Sequence, residues 1–269
     1  MDIPAKQRIK AAMIRAAARL GAPTRHPGLL IVLFHDVVAD GELQPRWTVR
    51  AGELDAMIRH GCDRGVRWLT AGEADAAIRA GSAEGSICLT FDDGKQSAHP
   101  AILSALARGA RCSQFIITER VGTAGFMSWS QIRELSDAGV EIGSHTRSHP
   151  ELPALSREAL HGELAGSRAE IEDRLGREVR SFAYPYGLFD RATVEAVRSA
   201  GYRQAFTTQH VYADARFGPF GLPRLEPETL RELADLHRGS AALFYRALAA
   251  FKLASTPVRS VGWGLGRTA

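Results

Sequence analysis

Cysteine is scarce in this 269-residue chain: Cys62, Cys88 and Cys112 are an odd set, widely separated and each in or near an apolar stretch. That pattern argues against a disulfide framework or a cysteine-based zinc cluster and fits buried thiols in a reducing compartment. No run of about 18 apolar residues is present, so a membrane-spanning helix is not expected. The N-terminus also lacks the uninterrupted apolar stretch of a signal peptide, because Ile9, Met13, Ile14 and Leu20 are interleaved with Lys10, Arg15 and Arg19. Export by the usual route is therefore not expected, and a cytoplasmic location is. Also missing are an internal repeat, a low-complexity tract and a Pro/Gly/Ser-rich linker, which favours one large domain over two small ones.

What is present is an ordinary globular composition, 45% hydrophobic and 24% charged, with a net charge of +4 that is unevenly placed. Residues 1–28 carry Lys6, Arg8, Lys10, Arg15, Arg19 and Arg25 against Asp2 alone. A basic amphipathic helix of this kind can lie on an anionic membrane surface, and a solvated helix docked on the domain is the alternative. The rest of the chain has no basic stripe with interleaved aromatics, so nucleic acid is not an expected partner. The expected organisation is a basic helical segment over 1–28, a catalytic domain over 29–240, and a C-terminal helix and tail over 241–269.

Short β-like runs alternate with helical stretches at Leu29 to Phe34, Val66 to Leu69, Ser86 to Phe91, Cys112 to Thr118, Val140 to Gly143, Arg180 to Tyr184 and Arg203 to Thr207. Thr70 with Glu73 and Ser128 with Gln131 have capping-box spacing, Asp190 precedes a periodic apolar stretch, and Gly139 and Gly201 stand where helices should stop. Seven short, mostly apolar strands in βα alternation predict a parallel sheet curled into a closed or nearly closed barrel. In such barrels reacting groups project from the C-terminal ends of strands. His35, Asp92, Asp93, His145 and Tyr186 all fall just beyond one.

Asp92-Asp93-Gly94 alone reads as a turn. His145 and His149 change that reading, because a four-residue spacing lets both imidazoles face one point, and Asp93 completes a His-His-Asp triad. A three-ligand set leaves positions open for water and substrate, as a catalytic metal requires. Asp92 is then free to act as a base. The pattern is that of a metal-dependent hydrolase.

Thr90-Phe91-Asp92-Asp93-Gly94, Gly143-Ser144-His145-Thr146-Arg147-Ser148-His149-Pro150 and Ser181-Phe182-Ala183-Tyr184-Pro185-Tyr186-Gly187 together resemble the ordered motifs of the NodB-homology polysaccharide deacetylases, carbohydrate esterase family 4. The resemblance spans roughly residues 29 to 225. It implies a distorted seven-stranded (β/α) barrel that removes N-acetyl groups from amino sugars of a polysaccharide or glycoconjugate. It further implies Asp92 as general base, Asp93, His145 and His149 as ligands of a divalent metal with zinc the first candidate, and the backbone amide of Tyr186 as an oxyanion donor.

Two departures from the family pattern stand out. The usual Arg-x-Pro-Tyr motif supplies an arginine that pairs with the base, and this chain has Ala183 there; Arg224 is the candidate substitute, against the alternative of a surface loop arginine. The late Leu-x-x-His motif that supplies the general acid is not matched at His237, which Ala234 precedes by three places. His35, in Leu33-Phe34-His35-Asp36-Val37, instead resembles the early motif of circularly permuted members such as the poly-N-acetylglucosamine deacetylases. His35 is the preferred acid. Trp47, Trp68 and Trp129 read as packing residues, with Trp129 a possible flank of the groove.

Two other readings compete with a polysaccharide deacetylase. One keeps the fold and moves the chemistry to a deformylase or deacetylase of a lipid-linked sugar at the cytoplasmic membrane face. The other is a catalytically silent carbohydrate-binding protein, which would leave both carboxylates and both histidines idle.

Overall fold

Strands buried on both faces are the framework of this fold. The computed structural model describes residues 28–42, 48–209 and 212–226. All of the basic N-terminal segment but Gly28, together with Trp47, His237 and the C-terminal segment 241–269, lies outside the described residues. Seven strands form one parallel sheet: β1 (Leu30–Phe34), β4 (Arg67–Leu69), β5 (Ser86–Phe91), β6 (Cys112–Ile116), β7 (Glu141–Ser144), β8 (Ser181–Ala183) and β9 (Gln204–Phe206). A separate parallel pair, β2 (Asp36–Val38) with β3 (Thr48–Arg50), was not expected from the sequence. β1 and β5 are buried at every position, which is why they read as continuous apolar runs and not as alternating ones.

The order across the sheet is β1-β5-β6-β7-β8-β9. β1 pairs along β5 from Ile87 to Phe91, so β4 and β6 share the other edge of β5, β4 at Ser86–Cys88 and β6 at Leu89–Phe91. The sheet curls, and the gap between β9 and β1 is spanned by the segment 222–225. Leu222 bridges Phe206 and Leu225 bridges Val32, both parallel. Leu222 donates its N–H to Ala205 O at 3.0 Å and Leu225 donates to Ile31 O at 2.8 Å. Closure by single bridges instead of an eighth regular strand puts Arg224 between the two ends of the sheet.

Among the described residues six helices flank the strands: α1 (Ala51–Asp63), α2 (Ala71–Arg79), α3 (Ala98–Ala107), α4 (Trp129–Asp137), α5 (Arg157–Leu175) and α6 (Arg191–Ser199). The expected caps are in place. Thr70 with Glu73 and Ser128 with Gln131 form capping boxes at α2 and α4, and Asp190 accepts the Thr193 N–H at the start of α6. Gly139 and Gly201 follow α4 and α6 with φ of 96° and 90°, a backbone region in which a β-carbon is strained.

Inside the curl, Leu29, Ile31, Cys88, Phe115, Phe206 and Leu222 belong to one buried cluster. Phe115 sets a close-packing constraint on β7, because a β-carbon on Gly143 would lie 2.5 Å from its ring. Two expectations are corrected. The run from Cys112 to Thr118 is a strand only to Ile116; Thr118–Arg120 is a 3₁₀ turn, because the amides of Thr118 and Glu119 leave the sheet to donate to Thr146 O and Arg147 O. Cys62 is exposed, unlike Cys88 and Cys112, because it lies at the outer end of α1 with its thiol 3.3 Å from Arg108 O. Among the described residues no helix is long and apolar enough to cross a membrane.

Candidate active site

Strand register brings the motif residues to one rim. Phe34 pairs with Phe91, so His35 and Asp92 leave neighbouring strands side by side, and the Asp92 N–H donates to Phe34 O at 2.8 Å. Ile116 pairs with Ser144 and Ser144 with Phe182, which sets His145 and the Tyr184–Gly187 turn along the same edge. Asp93, His145 and His149 each offer one ligand atom within 4.8 Å of the others. His145 Nε2 lies 3.2 Å from His149 Nε2 and 3.7 Å from Asp93 Oδ1, and His149 Nε2 lies 3.9 Å from the same oxygen.

These residues fit a divalent metal. Ligand atoms about 2.0–2.1 Å from a tetrahedral centre stand roughly 3.3 Å apart, close to the separations found. His145 Nδ1 is 2.8 Å from Ala183 O, and a carbonyl only accepts, so Nδ1 carries the proton and the Nε2 lone pair is turned toward Asp93 and His149. Burial, with the neighbouring His145, lowers the His149 pKa to about 4, so its imidazole is neutral at ordinary pH as a ligand must be. The Asp93 carboxylate has a defined orientation: Oδ1 faces the histidines, while Oδ2 is 3.8 Å from Lys95 Nζ.

Asp92 is buried next to the trio, 3.8 Å from His145 Nε2, and its partner is Arg224. The guanidinium holds it at both oxygens, Nη1 to Oδ1 at 2.8 Å and Nη2 to Oδ2 at 2.7 Å. Arg224 is 0% exposed and donates also to Thr207 O and Thr90 Oγ1, and it lies over the rings of Phe115 and Phe206. Burial alone would raise the Asp92 pKa; Arg224, with help from His145, reverses this and brings it to about 2. Ala183, at the family's arginine position, lies buried on β8 and contributes its carbonyl to His145.

His35 is partly buried between β1 and β2, where burial lowers its pKa against the pull of Asp92 and Asp93. Tyr186 stands at the rim, 59% exposed, with its ring 4.5 Å from that of His149. Pro185 has no N–H, Gly187 donates to Tyr184 O and Leu188 to Pro185 O, so the Tyr186 amide is the remaining donor of that turn. Trp129 packs under Arg174 on α5, 5.4 Å from the guanidinium.

Among the described residues four non-glycine residues have positive φ, and all lie in these motifs: Asp93 (70°), Thr146 (71°), His149 (67°) and Tyr186 (57°). Each costs on the order of 1–3 kcal/mol and persists only where surrounding bonds hold it. For the histidine loop those bonds come from residues that the sequence did not single out. Glu163 on α5 accepts from the amides of Arg147 and Ser148, and Thr146 Oγ1 accepts from the His149 amide.

Residues 79–205 match the family model described as polysaccharide deacetylase. The match contains Asp92, Asp93, His145, His149 and Tyr186, while His35 and Arg224 fall on either side of it. The chain is 26% identical over 209 residues to the protein YxkH of Bacillus subtilis (strain 168), covering 75% of this chain and 72% of the relative. Among solved structures, IcaB from Ammonifex degensii is 27% identical with a TM-score of 0.68, covering 78% of this chain and 96% of the other. The Streptococcus pyogenes deacetylase PplD shares the fold with a TM-score of 0.70 at 22% identity, over 76% of this chain and 97% of that one. Taken with the motif geometry, these likenesses show a polysaccharide deacetylase domain of the NodB-homology type within this chain, the domain of carbon–nitrogen hydrolases.

Proposed function

We propose that this chain hydrolyses the acetamide of N-acetylated amino sugars in a polysaccharide or glycoconjugate, with Asp93, His145 and His149 holding a divalent metal, zinc being the first candidate. The observation that carries this reading is the convergence of those three side chains on one point beside a separate, ionised Asp92. A metal held there supplies a Lewis acid and acidifies water. The remaining steps belong to the chain. Asp92, fixed by Arg224, takes the proton of the attacking water. The Tyr186 N–H faces the oxygen on which negative charge develops. His35 delivers a proton to the departing amine.

Removing Asp93, His145 or His149 by substitution with Ala should in each case lower metal content to below about a tenth of the wild-type value and abolish acetate release. Elemental analysis of the purified proteins reads the first effect. Full occupancy in His149→Ala would remove the assignment. For the acid, His35→Ala should lower kcat by about 10²- to 10⁴-fold with metal content unchanged. An unaffected kcat in that variant would move the role elsewhere.

The experiment that tests the function as a whole is acetate release from chitooligosaccharides and from lipid-linked N-acetyl sugars, run on metal-loaded and metal-stripped protein. Release from the oligosaccharides that depends on metal supports the proposal. Release only from the lipid-linked sugars would replace its substrate class, and absence of release from both would overturn it.

A further inference from the structure

We propose that Glu163 is a positioning residue for the metal site, acting through the loop that carries His149; this rests on the metal-dependent reading given above. The loop from Ser144 to His149 takes two left-handed turns at non-glycine residues, Thr146 and His149, and both are needed for His149 to double back onto His145. Among the described residues no backbone carbonyl accepts from the amides of the loop's four residues after His145. Thr146 N–H donates to Ser144 Oγ at 3.2 Å, Arg147 N–H to Glu163 Oε2 at 2.9 Å, Ser148 N–H to the same oxygen at 3.0 Å, and His149 N–H to Thr146 Oγ1 at 2.9 Å. Ser148 Oγ adds a donation to Glu163 Oε1 at 2.6 Å.

Glu163 thus supplies three of the loop's five side-chain acceptor contacts, and a carboxylate receiving two amides and a hydroxyl is a charge-assisted clamp. One helical turn further along α5, Ser167 Oγ lies 2.8 Å from Ser144 Oγ, so the same face of the helix holds both ends of the local structure. On the other side the loop is tied through Thr146 O and Arg147 O to the amides of Thr118 and Glu119. Those bonds hold carbonyls. Because a carbonyl and the next residue's N–H share one planar peptide unit, those bonds and the two to Glu163 grip the Thr146–Arg147 and Arg147–Ser148 peptides from opposite sides, while the Thr146 hydroxyl holds the peptide before His149. Without the carboxylate those two peptides are held from one side only, and the position in which His149 Nε2 meets that of His145 is less firmly fixed.

The test is the zinc dissociation constant, measured by competition with a chelating dye, for the full chain and for Glu163→Ala, Glu163→Gln and His149→Ala, with circular dichroism to verify folding. Glu163→Ala should weaken zinc binding by about 10- to 100-fold, the range found when the support of a ligand is removed. Glu163→Gln keeps an amide oxygen for the two backbone donors and should recover most of that loss, a rescue that general destabilisation does not give. Wild-type affinity in Glu163→Ala, with His149→Ala impaired, would overturn the positioning role alone. Equal affinity in wild type and His149→Ala would instead overturn the metal reading. Should Glu163→Ala not fold, Ser148→Ala carries the test: weaker zinc binding than wild type supports the clamp, and wild-type affinity refutes it.

Discussion

Asp92→Asn should retain zinc and lose turnover by about 10²- to 10⁴-fold, because Asn has no basic oxygen to take the proton of the attacking water. The structure adds a condition. Asp92 and Arg224 form a buried, doubly hydrogen-bonded pair, and removing one charge strands the other. Breaking such a pair costs about 3–5 kcal/mol, so Asp92→Asn should also unfold at lower denaturant. The double variant Asp92→Asn/Arg224→Met separates the two effects. Replacing both members of a buried pair is often close to neutral for stability, yet the base is still absent. Restored denaturant resistance without restored turnover is the expected result. Turnover near the wild-type level in either protein would exclude Asp92 as the base.

Much of this site was legible in the sequence, and the reasons for the gaps are physical. Each of the seven expected strands has its counterpart in the sheet, because parallel strands covered on both faces leave short apolar runs bounded by turn residues. Asp92, Asp93, His145 and His149, the proposed base and metal ligands, were visible because such roles need certain residue types and these stand in contiguous motifs. Arg224 was a weaker inference, reached from the cation missing at Ala183. Nothing local in Leu222-Pro223-Arg224-Leu225 says that the segment closes the sheet between β9 and β1, which only long-range bridges establish. Glu163 was invisible. It lies on a helix rich in Glu and Arg, where its spacing is that of any solvated face, and its role depends on a tertiary contact with a loop 16 residues earlier. The Ala183 carbonyl that orients His145 leaves no trace in sequence at all, because every residue carries one. β2 and β3 were missed because they pair only with each other, outside the βα alternation from which the other strands, three-residue ones included, are read.

Arg224→Met should change the sign of the response of stability to acid. In the wild-type protein the Asp92 pKa is depressed to about 2 from an ordinary value of 3.8, so the pair contributes stability fully above the ordinary value and loses it as pH falls from 3.8 toward 2. Burial, the largest influence on this carboxyl, acts in the opposite direction and is overcome chiefly by Arg224. With the guanidinium gone, burial governs and the folded-state pKa rises above its unfolded value. The carboxylate then opposes folding once pH exceeds the unfolded value, and the variant loses stability as pH rises until the carboxyl has ionised in the folded protein as well. Near neutrality the deficit should be about 3–5 kcal/mol, the cost of a buried charge without its partner. It should shrink as the medium is made more acidic. Urea midpoints measured at intervals between pH 3 and 7 read both trends, and the acidic limb of the pH–rate profile should move to higher pH in the variant because the base is protonated there. Midpoints for wild type and Arg224→Met that fall in parallel with acid, and a rate profile that does not move, would show that Arg224 does not govern the charge of Asp92. The pair would then be packing at the end of the sheet, and the base would owe its ionisation to His145 and its other neighbours.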